Sequence, residues 1–425
     1  MATVDKSFIH LPGFNTLTNA LAIQNDGKAI IGGGFSAYNG ATRQRIARLN
    51  VDGTLDISFD SSSGFSPGTV REIAIQKNGK IIAGGSILNS YDGNAIQNIV
   101  RINADGTFDG TFNSNPGIAG TVFAITIQPD GKILVGGEFN SYAGTAAERI
   151  VRLNTDGTID NTFNSNPGFD AIVFSLNIQS DGRIIVGGSF ESYGATAVKR
   201  IARLNPDGSI DNTFNSNPGF NNTVRAVKLR FDGKMFVGGN FTSYKGTTVE
   251  HIALLNANGN LDTTFVSDPG FNNNPEALHN QRDGKIIAAG DFTSYGGTAV
   301  GYLARLNIDG SLDTTFYSGP GFNDQIEDME VRPNGKILVV GSIEEFNGIA
   351  VAIGVAQLYG SPLMPIRGES VRLAILSNSD DLSTSESFEI PIADTPAQTP
   401  GSISLASSAI LVRKPDGTIG SINVT

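Results

Sequence analysis

The 425-residue chain has no cysteine, no tryptophan, three histidines and four methionines. Without cysteine there are no disulfides, thiolate metal sites or cysteine nucleophiles, and the chain suits an oxidising or a reducing compartment equally. Lysine and arginine number 30 against 41 acidic residues, a net charge of −11. That deficit argues against a nucleic-acid partner, because phosphate binding rests on neutralisation by Lys and Arg. It serves colloidal solubility instead. No apolar run is long enough to span a membrane. The opening residues Met1 to Lys6 lack the basic stretch and apolar core of a secretory signal. Either a leader has been removed, or the protein is made in the cytoplasm and leaves by another route.

Glycine, by contrast, is abundant at 52 residues, and much of it recurs at a fixed interval. Seven times an apolar run reaches Asp-Gly-Lys or a near copy and then climbs to Gly-Gly and an aromatic. The turn glycines are Gly27, Gly79, Gly131, Gly182, Gly233, Gly284 and Gly335, spaced by 52, 52, 51, 51, 51 and 51. So regular a period means one supersecondary unit built repeatedly.

In the third unit, Val122 to Gln128 alternates and is β-branched, so it reads as a strand. Asp130-Gly131 between apolar runs favours a hairpin turn with positive φ. Ile133 to Val135 is continuously apolar, as a strand covered on both faces would be, and Gly136-Gly137 lets a neighbouring backbone come close. A third strand follows over Arg149 to Asn154, then an Asp156-Gly157 turn and a short fourth strand over Thr158 to Phe163. Four antiparallel strands in such a unit make a propeller blade. The expectation is an all-β, seven-bladed β-propeller over residues 1–360 with a β-rich extension over 361–425. The last unit lacks its fourth strand, whereas Asp5…Phe8…Pro12-Gly13-Phe14 repeats the spacing of Asp313…Phe316…Pro320-Gly321-Phe322. Residues 3–8 are therefore expected to supply the missing outer strand and close the ring, which also removes exposed sheet ends.

The repeated units resemble the delta-60 repeat, a β-propeller family of bacteria and phages. Its run of a DGK-type turn, an apolar strand, Gly-Gly, then Arg-Leu-Asn-x-Asp-Gly-x-Leu-Asp-x-x-Phe is matched closely at 181–214 and 283–316. The Gly-Gly and repeat length are also kelch-like, but the absence of tryptophan counts against both kelch and WD repeats. The resemblance implies a propeller, usually non-catalytic, found on secreted or virion-borne proteins. It implies no fixed ligand.

Two sets of residues are candidates for binding. Tyr38, Tyr91, Tyr142, Tyr193, Tyr244 and Tyr295 recur after the Gly-Gly strand, with Phe346 in the seventh copy. A ring of aromatics beside Asn and Gly suits a glycan, whereas a residue present in every blade is more simply explained by packing. The second set lies on the innermost strands, which differ most between units. Arg71-Glu72, Arg225, Lys228, Arg230, Glu276, His279, Glu327-Asp328 and Glu330 would line the central channel, either as an asymmetric pocket or as solvated walls.

The remaining motifs carry duller readings. The Asn-x-Asp-Gly-x-x-Asp string, as at Asn50/Asp52/Asp56, supplies too few oxygens for calcium and suits a self-bonded hairpin turn. Arg48, Arg101, Arg152, Arg203 and Arg305 share one strand position, which suggests ion pairs between blades with the repeated aspartates. Gly64-Phe65-Ser66-Pro67-Gly68 fits the hydrolase elbow pattern but lies in an inter-blade loop. Gly32 to Ala37 mimics a dinucleotide fingerprint with no helix after it. The histidines His10, His251 and His279 occupy unrelated positions, so no catalytic constellation, metal site or cofactor is expected.

Beyond Gly360, short apolar stretches at Ser370 to Leu376, Phe388 to Ile392 and Ala409 to Thr425 flank Ser/Thr- and Pro-rich linkers. A segment of that size makes a marginal core and gains burial from a partner, an oligomer or another sheet. The resulting expectation is a non-enzymatic phage or phage-like particle protein that docks to other particle proteins through residues 361–425. A propeller ligand would be a glycan or host surface. The alternative is a secreted or cell-surface propeller that binds carbohydrate or protein; an enzyme working in the channel is least favoured. Deleting residues 1–11 should lower the Tm sharply in a thermal melt, and an unchanged midpoint would refute the closure.

Overall fold

The run Ile133-Leu-Val-Gly-Gly137 has no polar side to turn toward water, and the computed structural model buries all five residues. They form part of the middle strand Ile133–Tyr142, which pairs antiparallel with Ile118–Ile127 on one edge and Ile150–Leu153 on the other. The connecting turn is a three-residue hairpin loop. Gln128 N–H donates to the Lys132 carbonyl at 2.8 Å, Gly131 N–H donates to the Gln128 carbonyl at 2.9 Å, and Gly131 takes φ 87°. Asp130 Oδ1 accepts the Lys132 N–H at 3.1 Å, which is why Asp-Gly-Lys recurs.

The same meander is built at each repeat. Its inner strands are Thr18–Ile23, Thr69–Ile75, Ile118–Ile127, Val173–Ile178, Val224–Leu229, Pro275–Asn280 and Ile326–Val331. Each inner strand lies against the next, and Ile326–Val331 lies against Thr18–Ile23. The structure describes residues 2–360 apart from 62, 113–116, 164–166, 215–218, 268 and 317–318, and beyond 360 the backbone of four short strands. The Asn-Ser-Asn-Pro segments between repeats and the linker 377–387 thus lie wholly or partly outside the described residues.

The core sits between neighbouring sheets. Ile30 and Ile46 of the first sheet pack with Val70, Ile73, Ile81 and Val100 of the second, and equivalent clusters recur along the chain. The paired glycines make this approach possible. A Cβ on Gly136 would lie 2.6 Å from Val173 Cγ1 of the next sheet, and one on Gly137 would lie 2.1 Å from the Thr121 carbonyl oxygen of its own hairpin.

The expected fourth strand is shorter than its sequence suggests. In the third repeat it is a single bridge, Leu153 to Ile159, and the same holds at Leu49–Leu55, Ile102–Phe108, Leu204–Ile210, Leu255–Leu261 and Leu306–Leu312. The aspartate that follows ends the pairing. Asp160 Oδ1 accepts both the Thr162 N–H at 3.0 Å and its hydroxyl at 2.6 Å, which turns the chain away. At the N-terminus, Thr3–Val4 pairs with Tyr359 and Leu358 on the edge of the last sheet. A short 3-10 turn over Lys6–Phe8 follows, capped by Asp5.

The chain divides into two compact units, Met1–Leu363 and Met364–Thr425. Within the second, Val371–Leu373 pairs with Phe388–Ile390, and Ile410–Arg413 pairs with Ile419–Ile422.

Gly136→Ala should cost about 1–3 kcal/mol, the usual range for overpacking a filled core, read as a lower urea midpoint. A variant as stable as the parent would overturn the packing argument.

Candidate functional site

The repeated polar residues are structural. Asp160 is buried, and its Oδ2 accepts from Lys132 Nζ at 2.8 Å and from Arg152 Nε at 2.7 Å. Burial pushes its pKa up, but Lys132, Thr162 and Arg152 win and hold it well below the usual carboxylate range. The Arg152 guanidinium lies 4.8 Å from the Phe163 ring centre and donates through Nη1 to the Pro206 carbonyl of the next repeat. The expectation of ion pairs between blades therefore needs correction. The ion pair is internal to a repeat, because arginine and aspartate flank one tight turn, and the link across repeats is arginine to a backbone carbonyl. Asp52 Oδ1 likewise accepts from the Thr54 N–H at 3.0 Å and hydroxyl at 2.6 Å, the self-bonded turn reading of its motif.

The six tyrosines are corrected as surface binding residues. Tyr38, Tyr91, Tyr142, Tyr193, Tyr244 and Tyr295 are at most 5% exposed. Tyr38 Oη donates to the Gly53 carbonyl at 2.7 Å and Tyr193 Oη to that of Gly208 at 2.6 Å; the other four make the same bond in their own repeats. Phe14 packs 4.7 Å from Tyr38 and Phe169 4.7 Å from Tyr193, ring centre to ring centre. Each ring fills the space beneath its loop, and burial pushes the Tyr193 phenol up to about 12. Ser66, the serine of the elbow-like motif, lies in the short strand Phe65–Ser66.

The channel is different. In every inner strand the pairing slips by one residue at the same place, between Thr18 and Ala20, Val70 and Glu72, Val122 and Ala124, Val173 and Ser175, Val224 and Ala226, Pro275 and Ala277, and Ile326 and Asp328. A slip of this kind re-aims a side chain. The skipped residues are Asn19, Arg71, Phe123, Phe174, Arg225, Glu276 and Glu327. Phe123 and Phe174 stack with centres 5.1 Å apart; Arg71 lies 5.4 Å over the first and Arg225 4.5 Å over the second. Arg225 Nε is 3.8 Å from Glu276 Oε1 and 3.3 Å from Asn240 Oδ1. Glu276 and Glu327 accept from Asn274 and Gln325, each at 2.5 Å.

Further along the inner strands, Asp328 and Ser175 perform one task at equivalent positions. Asp328 Oδ2 accepts the Leu21 N–H of the adjoining inner strand at 2.8 Å, and Ser175 Oγ accepts that of Val227 at 3.2 Å. His279 Nδ1 faces Glu330 Oε2 at 3.9 Å. A cavity of about 230 Å³ opens here, lined by Phe123, Phe174, Glu72, Arg225, Lys228, Glu276, Asp328 and Glu330 among others.

Arg225, Lys228, Glu276 and Glu330 thus line one cavity, with His279 against Glu330 and Glu327 beside the Arg71–Glu276 row; Arg230 instead pairs with Asp232 at 3.1 Å. Phe123 and Phe174 were missed. Their signal was a break in alternation, apolar residues at Val122, Ile125 and Ile127 spaced by three and then two.

Enclosure dominates the electrostatics. Burial, then the charges of Asp328 and Glu330, hold Glu72 well above the carboxylate range. Burial and the Glu330 charge push Asp328 up to about 7, and burial raises Glu276 to about 7 in spite of Arg225. Burial with the Lys228 charge brings His279 down to about 4, so the ring is neutral at pH 7.

The chain belongs to the family described as "Domain of unknown function (DUF5122) beta-propeller", whose model matches residues 24–59, 76–112, 128–163, 179–214, 232–265 and 281–316. No curated protein matches the sequence. Among solved structures it is similar to the WD40 β-propeller domain of Doa1, at 13% identity and TM-score 0.52, covering 84% of this chain and 96% of that one. It is also similar to the extracellular domain of the one-component system BT4673 from B. thetaiotaomicron, at 12% identity and TM-score 0.50, covering 89% of this chain and 44% of that one. These likenesses show the propeller fold. Among the described residues no helix is long and apolar enough to cross a membrane.

A carboxylate whose pKa rises on folding stabilises the protein less as pH climbs from its unfolded to its folded pKa. The channel carboxylates should therefore lower the Tm between about pH 4.5 and about pH 7. The depressed aspartates of the repeats, such as Asp160, act oppositely and lose their contribution only in stronger acid. Asp328→Asn should flatten the decline of the Tm between about pH 4.5 and about pH 7. A variant with the parent's pH profile would refute the assignment.

Proposed function

We propose that this chain is a non-catalytic binding propeller of seven blades, closed by residues 3–8 and carried on a phage or phage-like particle. Supporting closure, Thr3–Val4 pairs with the last sheet, and Thr18 Oγ1 donates to the Gly354 carbonyl at 2.5 Å and accepts the Gly341 N–H at 2.9 Å. The observation that carries the binding reading is where the repeats differ. Tyrosine, arginine and aspartate recur because the blades need them for packing, whereas the channel wall runs Asn, Arg, Phe, Phe, Arg, Glu, Glu from the first repeat to the seventh. Departure from symmetry at a concave surface is what a specific ligand requires.

The particle role is supported by the delta-60 resemblance and by the separate unit Met364–Thr425, which suits a docking module for other particle proteins. A secreted or cell-surface propeller that binds carbohydrate or protein is the alternative, and a glycan array probed with the full chain addresses the ligand in either setting. A chain ending at residue 360 should keep the propeller's melting transition yet be absent from particles assembled in its presence. Truncated chain recovered in purified particles would overturn the docking role.

A further inference from the structure

Asparagine followed directly by glycine is chemically labile, because no side chain shields the glycine nitrogen from the asparagine amide beside it. The chain has five such pairs, Asn39-Gly40, Asn78-Gly79, Asn258-Gly259, Asn334-Gly335 and Asn347-Gly348. The fold treats them in two ways.

In three of them both reacting groups are tied. Gly79 N–H donates to the Gln76 carbonyl at 2.8 Å, Gly259 N–H to that of Asn256 at 2.9 Å and Gly335 N–H to that of Arg332 at 2.9 Å. Asn78 Oδ1 accepts the Lys80 N–H at 3.1 Å, Asn258 Oδ1 that of Asn260 at 3.0 Å and Asn334 Oδ1 that of Lys336 at 3.1 Å. Asn78 and Asn334 also close inner hairpins whose strands are six or seven residues long.

The other two pairs form the tips of small hairpins, Ala37–Tyr38 with Ala41–Thr42 and Glu345–Phe346 with Ile349–Ala350. Asn39 and Gly40 take φ 47° and 78°, and Asn347 and Gly348 take 51° and 77°, the two-residue turn with positive φ at both positions. Among the described residues, nothing accepts the Gly40 or Gly348 N–H, and nothing accepts from either asparagine Nδ2. Both glycines are exposed, and a Cβ on Gly40 would meet nothing within 4 Å. Strands of two residues also open locally more readily than long buried ones.

We propose that Asn39 and Asn347 are sites of spontaneous deamidation, where the protein acquires aspartate and isoaspartate. Once the turn opens and base removes the Gly40 proton, the Gly40 nitrogen bonds to Asn39 Cγ. The Cγ–Nδ2 bond breaks, and the amide nitrogen takes up a proton and leaves as ammonia. Water then opens the five-membered succinimide at one carbonyl or the other, giving aspartate or isoaspartate. Water is the only co-reactant.

The two products differ in consequence. Asn39 clasps Gly13: its N–H donates to the Gly13 carbonyl at 2.8 Å and its Oδ1 accepts the Gly13 N–H at 2.7 Å. On either side of Gly13, the Pro12 carbonyl and the Phe14 N–H bond to Ile353 of the last repeat at 2.8 and 2.9 Å. Asn347 clasps Gly321 in the same way, with both bonds at 2.8 Å. Asp92 clasps Gly64 at 2.9 and 2.7 Å, so the second repeat already carries the aspartate form. Isoaspartate instead runs the main chain through the side-chain carbon, which adds a backbone atom to a two-residue turn and breaks the clasp. At Asn39 that loosens the joint between the first and last repeats.

The test uses the full chain, held in mildly alkaline buffer at body temperature and sampled over weeks. Peptide mapping by mass spectrometry reads the conversion of amide to acid, and electron-transfer fragmentation separates isoaspartate from aspartate. Asn39 and Asn347 should convert at least about tenfold faster than Asn78, Asn258 and Asn334, the effect of one hydrogen bond that must break first. In concentrated urea the five rates should converge. Asn39→Asp should melt with the parent, whereas aged chain should melt lower as its isoaspartate content rises. No conversion at Asn39 and Asn347, or equally fast conversion of the three tied asparagines in the folded chain, would overturn the sites. Aged chain rich in isoaspartate at Asn39 that melts with the parent would overturn the loosened joint.

Discussion

One buried carboxylate per repeat holds the propeller together. Asp56, Asp109, Asp160, Asp211 and Asp313 each sit under an arginine from the third strand and face a lysine or arginine from the first turn. One oxygen takes the cations while the other caps the turn that ends the repeat, and the arginine reaches on to the next repeat's backbone. Buried ion pairs contribute little net stability, because desolvation cancels much of the attraction. Removing one partner nevertheless costs several kcal/mol, on the order of 3–5, because a charge is left buried alone. The arrangement thus enforces one geometry at every joint.

The two exceptions show how the constraint is kept. Leu254 replaces the arginine in the fifth repeat, and Asp262 there keeps Lys234 at 2.5 Å. At the ends of the chain Gln357 stands at the arginine position. Asp5 is then held by Lys336 at 2.7 Å, Gln357 at 2.8 Å and Tyr359 at 3.1 Å. Arg332, at the hairpin turn just past the inner strand Ile326–Val331, lies 6.0 Å from the Phe8 ring centre and donates to the Gly27 carbonyl, doing from another place what Arg152 does for Phe163 and Pro206. A joint assembled from both ends of the chain meets the same physical demand with different residues.

Against this uniform frame the slipped positions of the inner strands vary from repeat to repeat. The outer residues answer to neighbours above and below, so substitutions there meet a filled core. The slipped residue of each inner strand faces its counterparts across the repeats, and its identity runs from amide to guanidinium to phenyl to carboxylate. Partial burial and neighbouring like charges then raise the carboxylates there.

Much of this was legible in the residues. Period, hairpin turns and the fully buried middle strand follow from local spacing, because alternation and Asp-Gly turns are short-range physics. The charged channel residues were visible as departures from the repeat. Three features were not. The tyrosines admitted both a binding ring and the simpler packing reading, and the packing of Phe14 or Phe169 against them decides for the core. The arginine–aspartate pairs looked like links between repeats, and only the turn geometry places both partners in one. The slip in each inner strand lies within one hairpin, but the meeting of Phe123 and Phe174 from different repeats depends on inner strands about fifty residues apart in sequence lying side by side. Local sequence decided the units and their turns, since those energies act between near neighbours along the chain. Tertiary structure decided which faces meet, and therefore which side chains share the enclosed space where charge and aromatic surface act together.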